Sequence, residues 1–228
     1  METYGDMVFE LFEQRAPVAS GRVADLADDG FYDGIIFHRV VDDFVIQAGD
    51  PTGTGTSGST LGTFDDDFHP DLQHNREGIL SFAKSSDDTN NSQFFVTETP
   101  TRFLDFNHSI FGQLVEGFDV REAISETSTP ASEGTGSSQR PDNDVVIETI
   151  EVFNDTENSV VMLKANGSAT GTTNVTFTVT DQDGNTHSET VTVTVIGDTA
   201  NGQPFLGPVT PPTSTTTGTP SQLQLTST

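Results

Sequence analysis

The stretch Phe37-His38-Arg39-Val40-Val41-Asp42-Asp43-Phe44-Val45-Ile46-Gln47-Ala48-Gly49-Asp50 sets a guanidinium, aromatic rings and a carboxamide within a few residues of one another. Two more stretches mix the same residue types: Ser92-Gln93-Phe94-Phe95-Val96-Thr97 and Phe103-Leu104-Asp105-Phe106-Asn107-His108-Ser109-Ile110-Phe111-Gly112. An arginine supplies permanent charge and hydrogen-bond donors, but it is neither a base nor a nucleophile at neutral pH. Taken singly, Arg39 reads as a solvated or ion-paired residue, and Phe44, Phe95 and Leu104 read as core. His38 reads as a structural, hydrogen-bonded histidine, while His108 is balanced between a rim contact and a structural role.

Other chemistries find little support. The chain has no cysteine, which excludes thiolate catalysis, disulfides and Cys-ligated zinc. His69 and His74 have no carboxylate or second histidine at a ligand spacing. The glycines at 53, 55, 58 and 62 precede no Gly-Lys-Ser/Thr, so they read as a loop and not as a phosphate cradle. Asp65-Asp66-Asp67 and Asp181-Gln182-Asp183-Gly184 complete no calcium loop ending in Glu, and turn or solvated acidity is the better reading. No G-x-S-x-G elbow occurs. A net charge of −26, with Lys84 and Lys164 as the only lysines, disfavours nucleic acid and anionic membranes as partners. No apolar run reaches the roughly 18–20 residues of a membrane span.

The three stretches together resemble cyclophilin-type peptidyl-prolyl cis/trans isomerases, in that family's order and spacing, over about Thr3 to Phe153. The first matches F-H-R-x-x-x-x-F-x-x-Q-x-G-D, with Pro51-Thr52-Gly53-Thr54-Gly55 continuing the loop after it. The resemblance implies an isomerase acting on proline-containing polypeptides, with no cofactor and no metal. It implies Arg39, Phe44 and Gln47 as catalytic residues, Arg39 stabilising a twisted X-Pro amide and Gln47 orienting it. It also implies a substrate site of Val45, Ala83, Lys84, Gln93, Phe95, Phe103, Leu104 and His108, with Phe111 beneath. A second reading, a catalytically weak proline-peptide binding module, would be expected to lose Arg39 first; a third makes the barrel a spacer in an adhesion protein. Four departures stand out: Val45 where Met is frequent, Lys84 for a frequent Asn, Phe103 where cyclosporin-sensitive members have Trp, and Gly21-Arg22-Val23 for an Asn-Phe pair. The first two bear on substrate preference, the third puts cyclosporin binding in doubt, and the last implies a loss of stability.

The elements that would position these residues follow from periodicity. Met7–Phe12, Ile35–Phe37, Phe44–Ile46, Gly78–Ala83, Gln93–Thr97, Ser109–Val115 and Val145–Phe153 read as strands. A helix starts at Ala16-Pro17 with an apolar stripe of Val18, Val23, Leu26 and Ala27 and stops at Gly30. A second covers Gly117–Ser125 through Phe118, Val120, Ala123 and Ile124, and Thr127–Asp142 is a polar loop. The expected fold is mainly β, a closed antiparallel barrel capped by two helices, over residues 1–154. Thr/Val strands at Val160–Lys164, Asn174–Thr180 and Glu189–Ile196, with a hairpin turn at Asp181–Asn185, then resemble part of an immunoglobulin-like or cadherin-like module of bacterial extracellular proteins over 155–200. The Pro/Thr/Ser-rich run 201–228 reads as a disordered tail or linker. The expected state is a monomer, with an envelope or extracellular location favoured by the β segment. Met1–Met7 is not a signal peptide, and the abrupt opening into a strand leads us to expect further sequence upstream.

Overall fold

A computed structural model of the chain describes residues 4–155, 161–165 and 169–197, and the backbone of 205–206 and 223–226. It divides into two compact units, 1–152 and 153–228.

In the first unit six short strands, β1 (Val8–Leu11), β2 (Arg39–Val41), β3 (Val45–Ala48), β4 (Ile79–Phe82), β5 (Phe94–Thr97) and β6 (Ile110–Glu116), form an antiparallel sheet in the order β1-β6-β4-β5-β3-β2. Alternation sends Ile46, Phe94, Val96, Leu80 and Phe82 to one face, where Phe82 meets Phe111 (ring centroids 4.5 Å) and Phe94 meets Tyr32 (5.5 Å). Val45, Gln47, Phe95 and Ser81 lie on the other face. The barrel expected from the sequence is not closed by hydrogen bonds, because β1 and β2 do not pair. The two segments that could bridge the seam bond to each other instead: Phe37 N–H donates to Val145 O, and Ile147 N–H to Ile35 O, both at 2.9 Å. The expected strands Ile35–Phe37 and Val145–Phe153 therefore reduce to one bridge, Ile36 with Val146.

Helix α1 (Pro17–Asp28) begins with Pro at its first position, and its N-cap Ala16 offers no side-chain acceptor. A carboxylate from another segment takes that role: Asp67 Oδ2 accepts from Val18 N–H (2.9 Å) and Ala19 N–H (3.1 Å). The buried face is Ala19, Ser20, Val23, Leu26 and Ala27; Val18, expected in the stripe, is 55% exposed because it sits in the first turn on the outer side. Gly21 faces open space within this helix, so Gly21→Ala is expected to stabilise the first unit by about 0.5–1 kcal/mol. A melting temperature unchanged or lowered would contradict that.

Helix α2 (Phe118–Ser125) buries Val120, Arg121, Ile124 and Ser125, whereas Phe118 and Ala123 are exposed. A buried arginine displaces the expected alanine because it is paired, with Glu98 at 3.0 Å, Glu77 at 2.8 Å and Glu122 at 2.9 Å.

In the second unit β7 (Gly171–Thr180) and β8 (Thr186–Ile196) form a hairpin in register from Gly171↔Val195 to Thr180↔Thr186. Its turn is fixed by the Asp181 carboxylate, which accepts from the N–H groups of Asp183 (2.9 Å) and Asn185 (2.8 Å), with Gly184 at φ +83°. One face is a polar ladder that includes Thr176–Thr190 and Thr178–Ser188, both at 2.8 Å. The hairpin edges are taken by β9 (Phe205–Leu206) on β8 and β10 (Leu223–Thr226) on β7. Residues 161–164 form no strand, against expectation, and Val160 lies outside the described residues. Among the described residues this is one sheet, not the facing pair of a sandwich. The expected tail from 201 lies outside the described residues except for β9 and β10.

Candidate active site

Strand register carries the site. Arg39 pairs with Gln47, Gln47 with Phe95, and Phe95 with Ser81, so the four residues form one row across β2, β3, β5 and β4. Side chains of directly opposed residues share a face. The β2–β3 turn that sets this register places Asp43 at φ +58°, a conformation Asp tolerates, and Phe44 N–H closes it on Val41 O at 3.1 Å.

The row is wired by carboxamides. Arg39 Nη1 donates to Gln47 Oε1 at 3.4 Å, Gln47 Nε2 to Gln93 Oε1 at 3.0 Å, and Gln93 Nε2 to Ser57 O at 2.7 Å. A contact absent from the sequence reading is shorter than the first of these: Arg39 Nε donates to Gln139 Oε1 at 2.7 Å. The guanidinium carbon lies 5.5 Å from the centroid of Phe44, which in turn stacks on Phe103 at 5.9 Å and 18°. Burial lowers the Arg39 pKa from its ordinary value, yet a guanidinium starts so far above neutral that it stays charged. Among the described residues Arg39 belongs to no ion pair.

Phe95 is buried between two histidines, stacked on His74 at 5.9 Å and edge-on to His108 at 5.4 Å. His108 Nδ1 lies 2.9 Å from Phe82 O; a carbonyl only accepts, so Nδ1 carries the proton. Burial lowers the His108 pKa and keeps the ring neutral. The short 3-10 turn Arg102–Leu104 presents Phe103, 71% exposed, and a half-buried Leu104. Asp105 anchors that turn, accepting from the backbone N–H of His74 at 2.6 Å and pairing with its Nδ1 at 3.1 Å, while Arg102 Nε donates to its other oxygen. His74 therefore does have a carboxylate partner, brought to it by the fold from 31 residues away. Its Nε2 meets Ser81 Oγ at 3.2 Å, so it ties the exposed turn to the row.

The remaining expected residues fall in different places. Val45 is buried on the same face of β3 as Gln47. Ala83 is half-buried, and its N–H donates to Gln93 O at 2.9 Å. The Lys84 ammonium turns into the acidic loop, paired with Asp66 and, at 3.3 Å, with Asp87, and it lies over the Phe68 ring. Phe111 is fully buried against Phe82 in the core, on the face opposite Phe95, so it supports the sheet and does not line the row. Four further residues join the site without being among the expected ones: His74, Ser81, Ser57 and Gln139. Each reaches the site only through tertiary contact, and no local pattern marks them.

Acidity should test this packing. Burial lowers the pKa of His38, His74 and His108 below the ordinary 6.5. The unfolded chain then binds protons that the folded chain refuses, so stability falls as pH drops below about 6.5. The carboxylates act at lower pH. Burial raises Asp50, but hydrogen bonds from Thr52, Ser57 and Thr56 overcome it and hold the group at about 2. Asp105 is likewise opposed by burial and lowered by His74 and Arg102. Their contribution is present above the ordinary 3.8 and is lost as pH falls toward their folded values. Thermal melting followed from pH 7.5 to 3 is expected to fall in two stages; a melting temperature flat or rising down to pH 5.5 would contradict the histidine assignment.

Comparison with known proteins gives the family. The family described as cyclophilin type peptidyl-prolyl cis-trans isomerase/CLD matches residues 1–152. The peptidyl-prolyl cis-trans isomerase ppi1 of Schizosaccharomyces pombe is 47% identical over 131 residues, covering 57% of this chain and 84% of that protein. The human peptidyl-prolyl cis-trans isomerase-like 1 is 43% identical over 145 residues, 63% of this chain and 84% of that protein. The crystal structure of a cyclophilin type peptidyl-prolyl cis-trans isomerase from Cryptosporidium parvum, determined in the presence of the dipeptide Ala-Pro, superposes with a TM-score of 0.62 at 36% identity, covering 67% of this chain and 95% of that one. A guanidinium held by carboxamides on one face of an antiparallel sheet, in a chain so matched, leaves one assignment: this chain belongs to the family of cyclophilin-type peptidyl-prolyl cis-trans isomerases.

Proposed function

We propose that in this peptidyl-prolyl isomerase Arg39 lowers the barrier to X-Pro rotation, acting over an apolar surface of Phe44, Val45, Phe95 and Leu104. The barrier is ~18–20 kcal/mol because twisting destroys amide resonance. No bond to carbon forms or breaks, so the protein has only to bind the twisted amide better than either planar form. As the amide twists, its nitrogen regains a lone pair. A fixed cation beside that nitrogen and the prolyl carbonyl stabilises the twisted state more than the planar ones. The proline ring has no donor and favours an apolar seat, which Phe95 and its neighbours offer. Gln93 and the main chain of Ala83 and Lys84 hold the substrate chain, and Phe103 and His108 form the rim. His108 is neutral with its proton on Nδ1, so it contributes shape and an acceptor, not charge.

The observation that carries this reading is the state of Arg39. In a chain with 35 acidic residues it is in no ion pair among the described residues and is held by two neutral carboxamides. Its charge is left for a ligand. Cis/trans exchange of an Ala-Pro-Phe peptide, followed by NMR or with a coupled protease, tests the activity. Exchange in the presence of the protein no faster than the uncatalysed rate would defeat it. We further assign the isomerase to residues 1–154, acting as a monomer on proline-containing polypeptides. Residues 155–200 are assigned to a small immunoglobulin-like or cadherin-like β segment and 201–228 to a linker or disordered tail. The Thr/Val composition of the β7–β8 hairpin supports the second of these.

A further inference from the structure

The polar run Thr127–Asp142 looks like a plain connection, yet it lies along the outer edge of β2. Val40 N–H donates to Gln139 O at 2.7 Å, and the Gln139 side chain accepts from Arg39 Nε at the same distance. The loop is itself tied down. Ala131 N–H donates to Ser138 O and Asp142 N–H to Ser128 O, both at 2.9 Å, and Arg140 pairs with Asp144 at 2.8 Å. Gln139 is half-buried where it meets Arg39. By contrast Gln47, the residue expected to orient the guanidinium, reaches it only at 3.4 Å, near the outer limit of a hydrogen bond.

We propose that Gln139 is the principal positioning residue for Arg39, fixing the plane of its guanidinium through Nε. A hydrogen bond at Nε acts next to the flexible stem, so it orients the whole planar fork while leaving the terminal donors to Gln47 and substrate. A carboxamide does this without neutralising the charge. A carboxylate at the same place would hold the fork as well but cancel the field it applies to the twisted amide. The inference rests on the reading of Arg39 given above.

A double-mutant cycle in the full chain separates the two claims. Gln139→Ala keeps the backbone bond to Val40, so melting should stay close to that of the parent. Peptide exchange should lose about tenfold in kcat/KM, the loss lying mainly in kcat, as expected for one positioning hydrogen bond. Gln139→Glu should also lower kcat while leaving the fold intact. In an Arg39→Ala background Gln139→Ala should add no further loss. A Gln139→Ala rate within twofold of the parent, or an equal loss in both backgrounds, would overturn the positioning role alone. An Arg39→Ala enzyme as active as the parent would overturn the reading beneath it.

Discussion

Arg39→Ala is expected to reduce kcat/KM for peptide exchange by about 10²–10³, the loss seen when one donor aimed at developing charge is removed. KM should change little, because in the proposed mechanism Gln93, Ala83 and the apolar surface supply most of the grip on the planar substrate, while the guanidinium acts mainly on the twisted amide. Arg39→Lys should fall between the two: an ammonium restores charge but cannot bond Gln139 and Gln47 at fixed angles while also reaching substrate. Folding should survive both changes, since Arg39 is half-buried and its carboxamide partners can turn to water. The check is exchange NMR at several substrate concentrations beside a melting curve. A rate within twofold of the parent in a folded Arg39→Ala protein would remove Arg39 from the mechanism.

The parts of the site legible in sequence are those whose residues lie within short, dense motifs. Arg39, Phe44 and Gln47 fall in one dense motif, but β2, the strand that carries Arg39 opposite Gln47, is not among those expected from periodicity, because three residues are too few to show a period. Phe95 adds a third strand, β5, with Gln93 immediately before it. What could not be read is the support beneath them. His74 and Asp105 are far apart in the chain, and their pairing follows from how the exposed turn folds back. Gln139 lies 100 residues from the arginine it holds. That Asp66 takes the Lys84 ammonium, leaving only the main chain of this residue toward the row, depends on a partner 18 residues away. Phe111 lies in the third motif yet packs on Phe82 in the core, on the far face of the sheet from Phe95.

The same distinction runs through the fold. Strand and helix positions came from local periodicity, and most elements of the first unit stand within a few residues of where that placed them. The open seam of the sheet and the burial of Arg121 depend on partners from elsewhere, namely the 35–37 and 145–147 segments and Glu98. Local pattern states which residues prefer burial. It does not state which charge will be paired and so allowed inside.

Gly49→Ala is expected to be among the most damaging single methyls in the first unit. Gly49 follows β3 at φ +91°, and a Cβ there would lie 2.3 Å from Ser92 O and 2.9 Å from Gln93 Cα. The left-handed backbone alone disfavours alanine by about 1–2 kcal/mol, and the overlap adds about 1–3 kcal/mol or more of overpacking. Relief is blocked on the other side, because Ser92 Oγ donates to Gly49 O at 2.8 Å and Tyr32 Oη donates to Ser92 O at 3.1 Å from within the core. At about 4 kcal/mol the melting temperature should fall by roughly 10 °C. The strain also points at function. Moving Ser92-Gln93 away from β3 opens the 3.0 Å contact between Gln47 and Gln93 and breaks the row at its centre. Exchange catalysed by Gly49→Ala, measured well below its melting point, should therefore be slower than the parent's. A variant that melted like the parent would show that the close approach of β3 and Ser92 is not what this glycine is for; one that melted low yet catalysed normally would show that the carboxamide chain can be broken without moving Arg39.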